Sequence, residues 1–276
     1  MTTKPPGAER RTLPRGRISV LKNALYSTLR FIARHVRGFY GALVAFLSVG
    51  VVVGLAAVGV FALFATAVVQ GITQPFDDAV LHWFGTIRNP TLDEVMVEIT
   101  SLGDGAVLIL LIAVTSVFLW LTNHRWSVAL LGVAYFGGYI TNHILKETFQ
   151  RPRPSILQHL DPTTSMSFPS GHAMNAMIMY GAVAYLVGRL EPTPALRRTT
   201  WLIAALLILA IGMSRAYLGV HYPSDVIAGY LAGLAWLTFV AAALTALRFF
   251  ARRRPETRTE ESDLDAEAQR AAGERA

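Results

Sequence analysis

Three short segments hold side chains whose types and spacing suit one kind of chemistry. They are Lys146-Glu-Thr-Phe-Gln-Arg-Pro-Arg153-Pro154, Pro169-Ser170-Gly171-His172 and Ser214-Arg215-Ala-Tyr-Leu-Gly-Val-His221-Tyr-Pro-Ser-Asp225. A phosphate monoester carries about two negative charges, and more charge spreads over its equatorial oxygens in the transition state. Lys146, Arg153 and Arg215 can clamp those oxygens, the arginines as bidentate donors. Gly171 lets the backbone come close to an anion, and a helix starting there would aim the free N–H groups of Ser170, Gly171 and His172 at it. The Ser170 hydroxyl is a further donor. Two histidines can divide the remaining work: a neutral one attacks phosphorus, and a protonated one releases the leaving alkoxide. Asp225 follows His221 by four residues, one helical turn, and can fix the tautomer of its ring. That favours His221 as nucleophile and His172 as general acid. The reverse assignment stays open on these residues, although His172 has no carboxylate beside it in the sequence. Lys146 and Arg153 add positive potential that keeps His221 neutral.

These segments must be positioned by elements that live in lipid. Of the 276 residues 53% are apolar and only 16% charged, with a mean hydropathy of +0.43. The apolar residues come in long blocks, the mark of a membrane protein. No charged residue occurs between Gly38 and Phe76, and one spanning helix is expected over roughly 40–68. Three further charge-free blocks, Gly105–His124, Trp126–Leu145 and Val226–Leu247, are each about long enough for a ~30 Å hydrocarbon core. Ala173–Gly188 and Thr199–Ser214 are shorter, and become spans if their outer ends enter a polar cavity lined by protein. The expected fold is therefore all-α, a bundle of six transmembrane helices. Between the first two spans, Val80, Leu81 and Phe84 share one helical face, as do Leu92, Val95, Met96 and Ile99. One or two interfacial helices broken at Asn89–Pro90 are expected there, either packed on the bundle or walling the entrance for a lipid.

Charge sets the orientation. Residues 1–37 are basic and form an N-terminal segment on the cytoplasmic side, either a surface helix over Val20–Arg37 or a disordered tail. Arg125, then Arg189, Arg197 and Arg198, and the tail from Arg248 fall on that same side. The acidic loop 71–104 and all three chemical segments fall on the other. Residues 38–250 thus make one membrane domain, and 251–276 a charged, disordered cytoplasmic tail. The net charge of +7 is topological, and no nucleic-acid motif accompanies it. The absence of cysteine excludes disulfides, thiol nucleophiles and cysteine metal sites. Arg151 is an extra cation beside the first segment, expected on a headgroup or second phosphate, or else at the bilayer surface. His159 and Asp161 are read as solvated loop residues or else as readers of a lipid headgroup, Asn142 as a contact at a helix end, and Asn175 as packing or else facing the site.

The three segments resemble the signature of the type 2 phosphatidic acid phosphatase superfamily, PAP2: K-x6-RP, then PSGH, then SR-x5-H-x3-D. Every signature position matches, and the resemblance covers about 38–250. It implies a metal-independent membrane lipid phosphatase without a cofactor, working through a phosphohistidine. It implies His221 as nucleophile, Asp225 as its partner and His172 as acid, with Lys146, Arg153, Ser170, Gly171 and Arg215 on the phosphate. The implied substrate is a lipid phosphate or pyrophosphate, such as undecaprenyl pyrophosphate, phosphatidylglycerol phosphate or phosphatidic acid. The implied setting is a bacterial cytoplasmic membrane with the site facing outward. Two rivals share these residues or this bundle: a lipid phosphotransferase with a hydroxyl acceptor, and a lipid transporter with no chemistry. A vanadate-dependent oxidase shares the motif, but the spanning helices speak against it.

Overall fold

The computed structural model describes residues 39–161 and 163–273, with side chains from 52 to 248. The basic segment 1–37, expected as a surface helix or a tail, lies outside the described residues. The chain divides into two units, Met1–Ser48 and Val49–Ala276. Of the first unit only a helical backbone from Phe39 is described. All three chemical segments belong to the second.

Among the described residues all regular structure is helical. The order is α1 Phe39–Val69, α2 Gln74–Ile87, α3 Pro90–Ser101, α4 Gly105–Leu121, α5 Arg125–Phe149, α6 Gly171–Leu190, α7 Pro194–Tyr217 and α8 Pro223–Gly273. Prolines at the first positions of α2, α3 and α7 set these starts, where a missing N–H is harmless. Asn89 caps α3 by accepting the N–H of Leu92 at 3.0 Å. The two blocks that look short in the sequence, in α6 and α7, are long enough because the motif residues themselves join the helices.

Five helices, α1, α5, α6, α7 and α8, are each long and apolar enough to cross a membrane. α4 has 17 residues, a rise of roughly 25 Å against the ~30 Å hydrocarbon core. It meets the requirement only together with α3, from which it is bent by 45°. Six spans therefore means five unbroken helices and one broken pair. Lipid-facing positions stay apolar and uncovered: Leu63 is 75% exposed and Leu121 76%, as suits a hydrocarbon solvent.

α6 packs against α5, α7 and α8 and so sits at the centre of the bundle. Met174, Ile178, Met179 and Leu186 of α6 meet Leu130, Leu131 and Tyr135 of α5 and Leu237 and Val240 of α8 in one core. Glycines bring α8 onto α6. A Cβ at Gly229 would lie 2.6 Å from the Ser170 carbonyl oxygen, and one at Gly233 2.8 Å from that of Met174. Only hydrogen fits there, which is how small residues spaced by four let membrane helices touch.

α2 and α3 pack across the end of α7. Phe84 stands edge-on to Tyr217 at 5.6 Å, and Val80, Leu92 and Met96 close the same cluster. This is the plainer of the two roles expected from their amphipathic faces. Val95 departs from that expectation, being 46% exposed. α8 stays helical through 251–273, where the charge pattern suggests disorder. Alanine, glutamate, arginine and glutamine there are strong helix formers, while Pro255 opposes the helix locally.

Candidate active site

Helix ends deliver the three segments to one place. α5 stops at Gln150, which adopts a left-handed conformation (φ 46°) and donates its N–H to Lys146 O at 2.9 Å. Pro152 and Pro154 keep the following chain extended. Lys146 thus lies on the last turn of a helix, while Arg153 returns over the site from a loop. α7 ends with Gly219 at φ 78°, which folds the chain back so that the His221 N–H reaches Arg215 O at 3.3 Å. This turn explains the spacing of Arg215 and His221. α8 then opens at Pro223, and its first turn carries Asp225. Ser170 precedes α6 and donates its N–H to Asp225 O at 3.0 Å, stitching the second segment to the third.

His221 is buried, 2% exposed. Its Nε2 faces the Arg153 guanidinium, with NH1 at 3.3 Å. Its Nδ1 lies 3.5 Å from Asp225 Oδ2, too long for a strong bond, and 3.4 Å from Ser167 Oγ. Ser167 Oγ donates to Asp225 Oδ2 at 2.5 Å. The His221–Asp225 contact expected from the sequence therefore runs largely through Ser167. Because guanidinium is only a donor, Nε2 must carry the lone pair and Nδ1 the proton. Burial lowers the His221 pKa well below its usual 6.5, and the positive charges of Arg153, Lys146 and Arg215 push the same way. Both effects favour the neutral ring, with its unprotonated nitrogen turned toward the Arg153 guanidinium.

The cation cluster is held from several sides. Arg153 donates from Nε to Ser165 O at 2.7 Å, from NH1 to Val220 O at 2.5 Å and from NH2 to Thr163 Oγ1 at 3.0 Å. Burial, and then the nearby Arg215, draws its pKa down to about 10, so it stays charged at neutral pH. Lys146 donates from Nζ to Met166 O. Arg215, 2% exposed, donates from NH1 to Thr100 Oγ1 at 2.8 Å and to Asp161 Oδ2 at 2.6 Å. Its Nε is buried and has no partner among the described residues. Lys146, Arg153, Arg215 and His172 all act electrostatically on His221, so the members of the three segments do converge.

Several expectations change at this site. His172 has a carboxylate after all: Asp104 Oδ1 lies 2.8 Å from its Nε2. Asp104 precedes α4 at the cap position, yet its side chain makes no cap bond and turns to the histidine instead. The Ser170 N–H is not free for an anion, and its hydroxyl accepts from Ala173 N at 3.5 Å as a helix cap. Gly171 and His172, the first two residues of α6, remain as backbone donors. Asp161 is paired with Arg215 rather than solvated, and His159 Nε2 lies 2.7 Å from Pro154 O. Asn142 Nδ2 meets Met174 Sδ at 3.5 Å, while Asn175 Oδ1 is buried without a partner among the described residues.

Arg151 is turned into the protein, its side chain 13% exposed. Its NH1 donates to Asp225 Oδ1 at 2.6 Å and to Ser224 Oγ at 2.8 Å. Its NH2 donates to Asp77 Oδ2 at 3.0 Å and Gln74 Oε1 at 3.1 Å. It also lies 4.0 Å above the Tyr222 ring. Asp77 and Asp225 are both fully buried, and one guanidinium bridges them, offsetting part of their charge.

The protonation state of His221 sets a pH response. If a neutral His221 is the attacking group, as the sequence leads us to expect, its pKa below 6.5 should keep kcat/KM on its plateau as pH falls through 6.5. The acid limb should appear only lower. The stability change has the matching sign. Below pH 6.5 the unfolded chain binds a proton at this residue before the folded chain does, so stability falls as pH drops from 6.5 toward the folded pKa. Profiles of kcat/KM and of thermal unfolding in detergent would check both. An acid limb centred near 6.5 would sink the assignment.

Known proteins align with this arrangement. A model of the PAP2 superfamily matches residues 127–249, which contain all three segments. Phosphatidylglycerophosphatase B of Bacillus subtilis is 35% identical over 175 residues, 63% of this chain and 86% of that protein. Undecaprenyl-diphosphatase of Sulfolobus acidocaldarius is 31% identical over 114 residues, 41% of this chain and half of that protein. The crystal structure of a transmembrane PAP2-type phosphatidylglycerolphosphate phosphatase from Bacillus subtilis superposes with a TM-score of 0.64 at 32% identity, covering 68% of this chain and 94% of its own. Sequence and fold agree over nearly the whole of one relative, and on that ground the chain belongs to the PAP2 superfamily.

Proposed function

We propose that this chain is a membrane lipid phosphatase that acts without a metal, through a phosphohistidine on His221, at the outer membrane–water interface. One observation carries the reading: a buried neutral imidazole with its free Nε2 turned to a guanidinium and its Nδ1 backed by Ser167 and Asp225.

Lys146, Arg153 and Arg215, with the first N–H groups of α6, take the phosphate oxygens. Nε2 of His221 attacks phosphorus, and the bond from phosphorus to the leaving oxygen breaks. His172, oriented by Asp104, gives that oxygen its proton. Water then attacks the phosphohistidine and passes a proton back to His172. Phosphate departs, and both histidines regain their starting states. The three cations supply the charge stabilisation that a metal supplies elsewhere.

The outward orientation is supported by charge. Arg125, Arg189, Arg197 and Arg198 lie at the helix ends opposite the site, and Arg248 closes the apolar stretch of α8, the distribution of a cytoplasmic face. Both termini are then cytoplasmic. The match to a phosphatidylglycerophosphatase favours a glycerophospholipid phosphate as substrate, with a prenyl diphosphate second.

The test is phosphate release by purified protein from phosphatidylglycerol phosphate, phosphatidic acid and undecaprenyl diphosphate. Release should persist in EDTA and be blocked by vanadate. Abolition by EDTA would refute the metal-free route, and phosphate appearing on a second lipid rather than in solution would mark a phosphotransferase.

A further inference from the structure

The cation cluster meets one carboxylate that phosphate binding does not require. Asp161 Oδ2 lies 2.6 Å from Arg215 NH1, with its side chain 32% exposed at the mouth of the site. The loop that carries it is anchored. Leu160 donates its N–H to Leu218 O at 3.1 Å, and Arg88 donates from NH1 to Gln158 O at 2.8 Å. Leu157 and Leu160 pack on the Phe84–Tyr217 cluster. Asp161 is therefore held in place by the fold.

Arg215 offers two edges. NH1 serves Thr100 and Asp161, while Nε is buried and without a partner among the described residues. A phosphate can take the Nε edge and leave the carboxylate where it is. Asp161 also lies within electrostatic reach of Arg153 and of His172. Thr100, which shares the Arg215 NH1 edge with Asp161, lies four residues before Asp104, the partner of His172. Since His172 protonates the departing oxygen in the proposed reaction, that edge and Asp161 with it stand on the leaving-group side.

The two substrate classes differ in what arrives there. A lipid phosphomonoester with a polar headgroup releases an alcohol, whose neighbouring hydroxyls can donate to a carboxylate. A lipid diphosphate releases a lipid phosphate, whose negative charge would lie against Asp161. Like charges in a partly buried site are costly, and such a repulsive element is a common source of specificity.

We propose that Asp161 is a specificity-determining residue that favours lipid phosphomonoesters bearing headgroup hydroxyls over lipid diphosphates. The inference rests on the proposed phosphatase function.

Asp161→Asn keeps the shape and removes the charge. Wild-type protein, D161N and D161E are compared for kcat/KM on phosphatidylglycerol phosphate and on undecaprenyl diphosphate in the same detergent. D161N should move the ratio toward the diphosphate by about tenfold, while D161E keeps the wild-type preference. A ratio unchanged in D161N overturns the inference and leaves the phosphatase reading intact. An equal loss on both lipids, with an unaltered thermal melt, overturns it too, because Asp161 would then serve Arg215 alone. Wild-type protein inert on every lipid tried would overturn the phosphatase reading and this inference with it.

Discussion

Replacing His221 by alanine should reduce lipid phosphate release by about 10⁴- to 10⁶-fold, the loss seen when a covalent nucleophile is removed. The size follows from what the ring does. In the proposed reaction its Nε2 forms the bond to phosphorus, and no other described imidazole faces Arg153. What remains in the variant is a cradle of three cations that still binds phosphate, so the substrate dissociation constant should change far less than kcat. The side chain is buried, and its loss leaves the Ser167–Asp225 bond in place. Folding should survive, which a thermal melt in detergent would check. Single-turnover phosphate release, with acid quench to look for a labelled protein, separates the readings. A variant retaining release within tenfold of wild type would remove His221 from the chemistry, and unchanged lipid movement without hydrolysis in either protein would favour a transporter.

Arg151→Met should destabilise the protein by about 3–5 kcal/mol, because it leaves buried carboxylates without their cation. Asp77 and Asp225 are both 0% exposed, and the Arg151 side chain only 13%. Ser224 would still donate to Asp77 from its N–H and its hydroxyl, and Ser167 and Tyr222 to Asp225. Those bonds satisfy oxygens but bring no positive charge to this depth. Activity should fall as well, since Asp225 loses the contact that fixes Oδ1. Pairing the change with Asp77→Asn tests the charge argument directly. The double variant should regain part of the lost thermal stability, because one buried negative charge has gone. A single variant that melts like wild type would show that the network is worth little.

The residues that the sequence could reveal are those whose neighbours in space are also neighbours along the chain. Gln150 and the prolines after it, the cap at Ser170 and the turn at Gly219 all act within a few residues, and their spacing is readable. The two histidines and three cations were legible for that reason. Asp104, Thr100 and Ser167 were not. Asp104 reaches His172 across 68 positions and Thr100 reaches Arg215 across 115, with no periodicity to connect them. Asp104 even carries a false signal, since an aspartate before a helix reads as a cap. Arg151 was visible as a charge, but whether a cation meets lipid or a buried acid depends on where α2 packs. The helices were legible because apolar block length is dictated by the bilayer. α4 was the exception, since its length suffices only together with α3 across a bend.

The pairing of Arg151 with Asp77 and Asp225 has a consequence for how the protein is made. The two acids are separated by 148 positions along the chain, with the arginine midway between them at 74 from each. During synthesis Asp77 emerges first and has no cation to meet until α5 has been threaded and its following loop delivered. Arg151 then carries one acid and waits for the other until the first turn of the last helix is in place. The network closes only when the final span has been inserted, and Asp225 takes up its position behind His221 in that same event. Catalytic competence is thereby tied to completed assembly, so that a truncated or half-inserted chain exposes its lipids to no misplaced nucleophile.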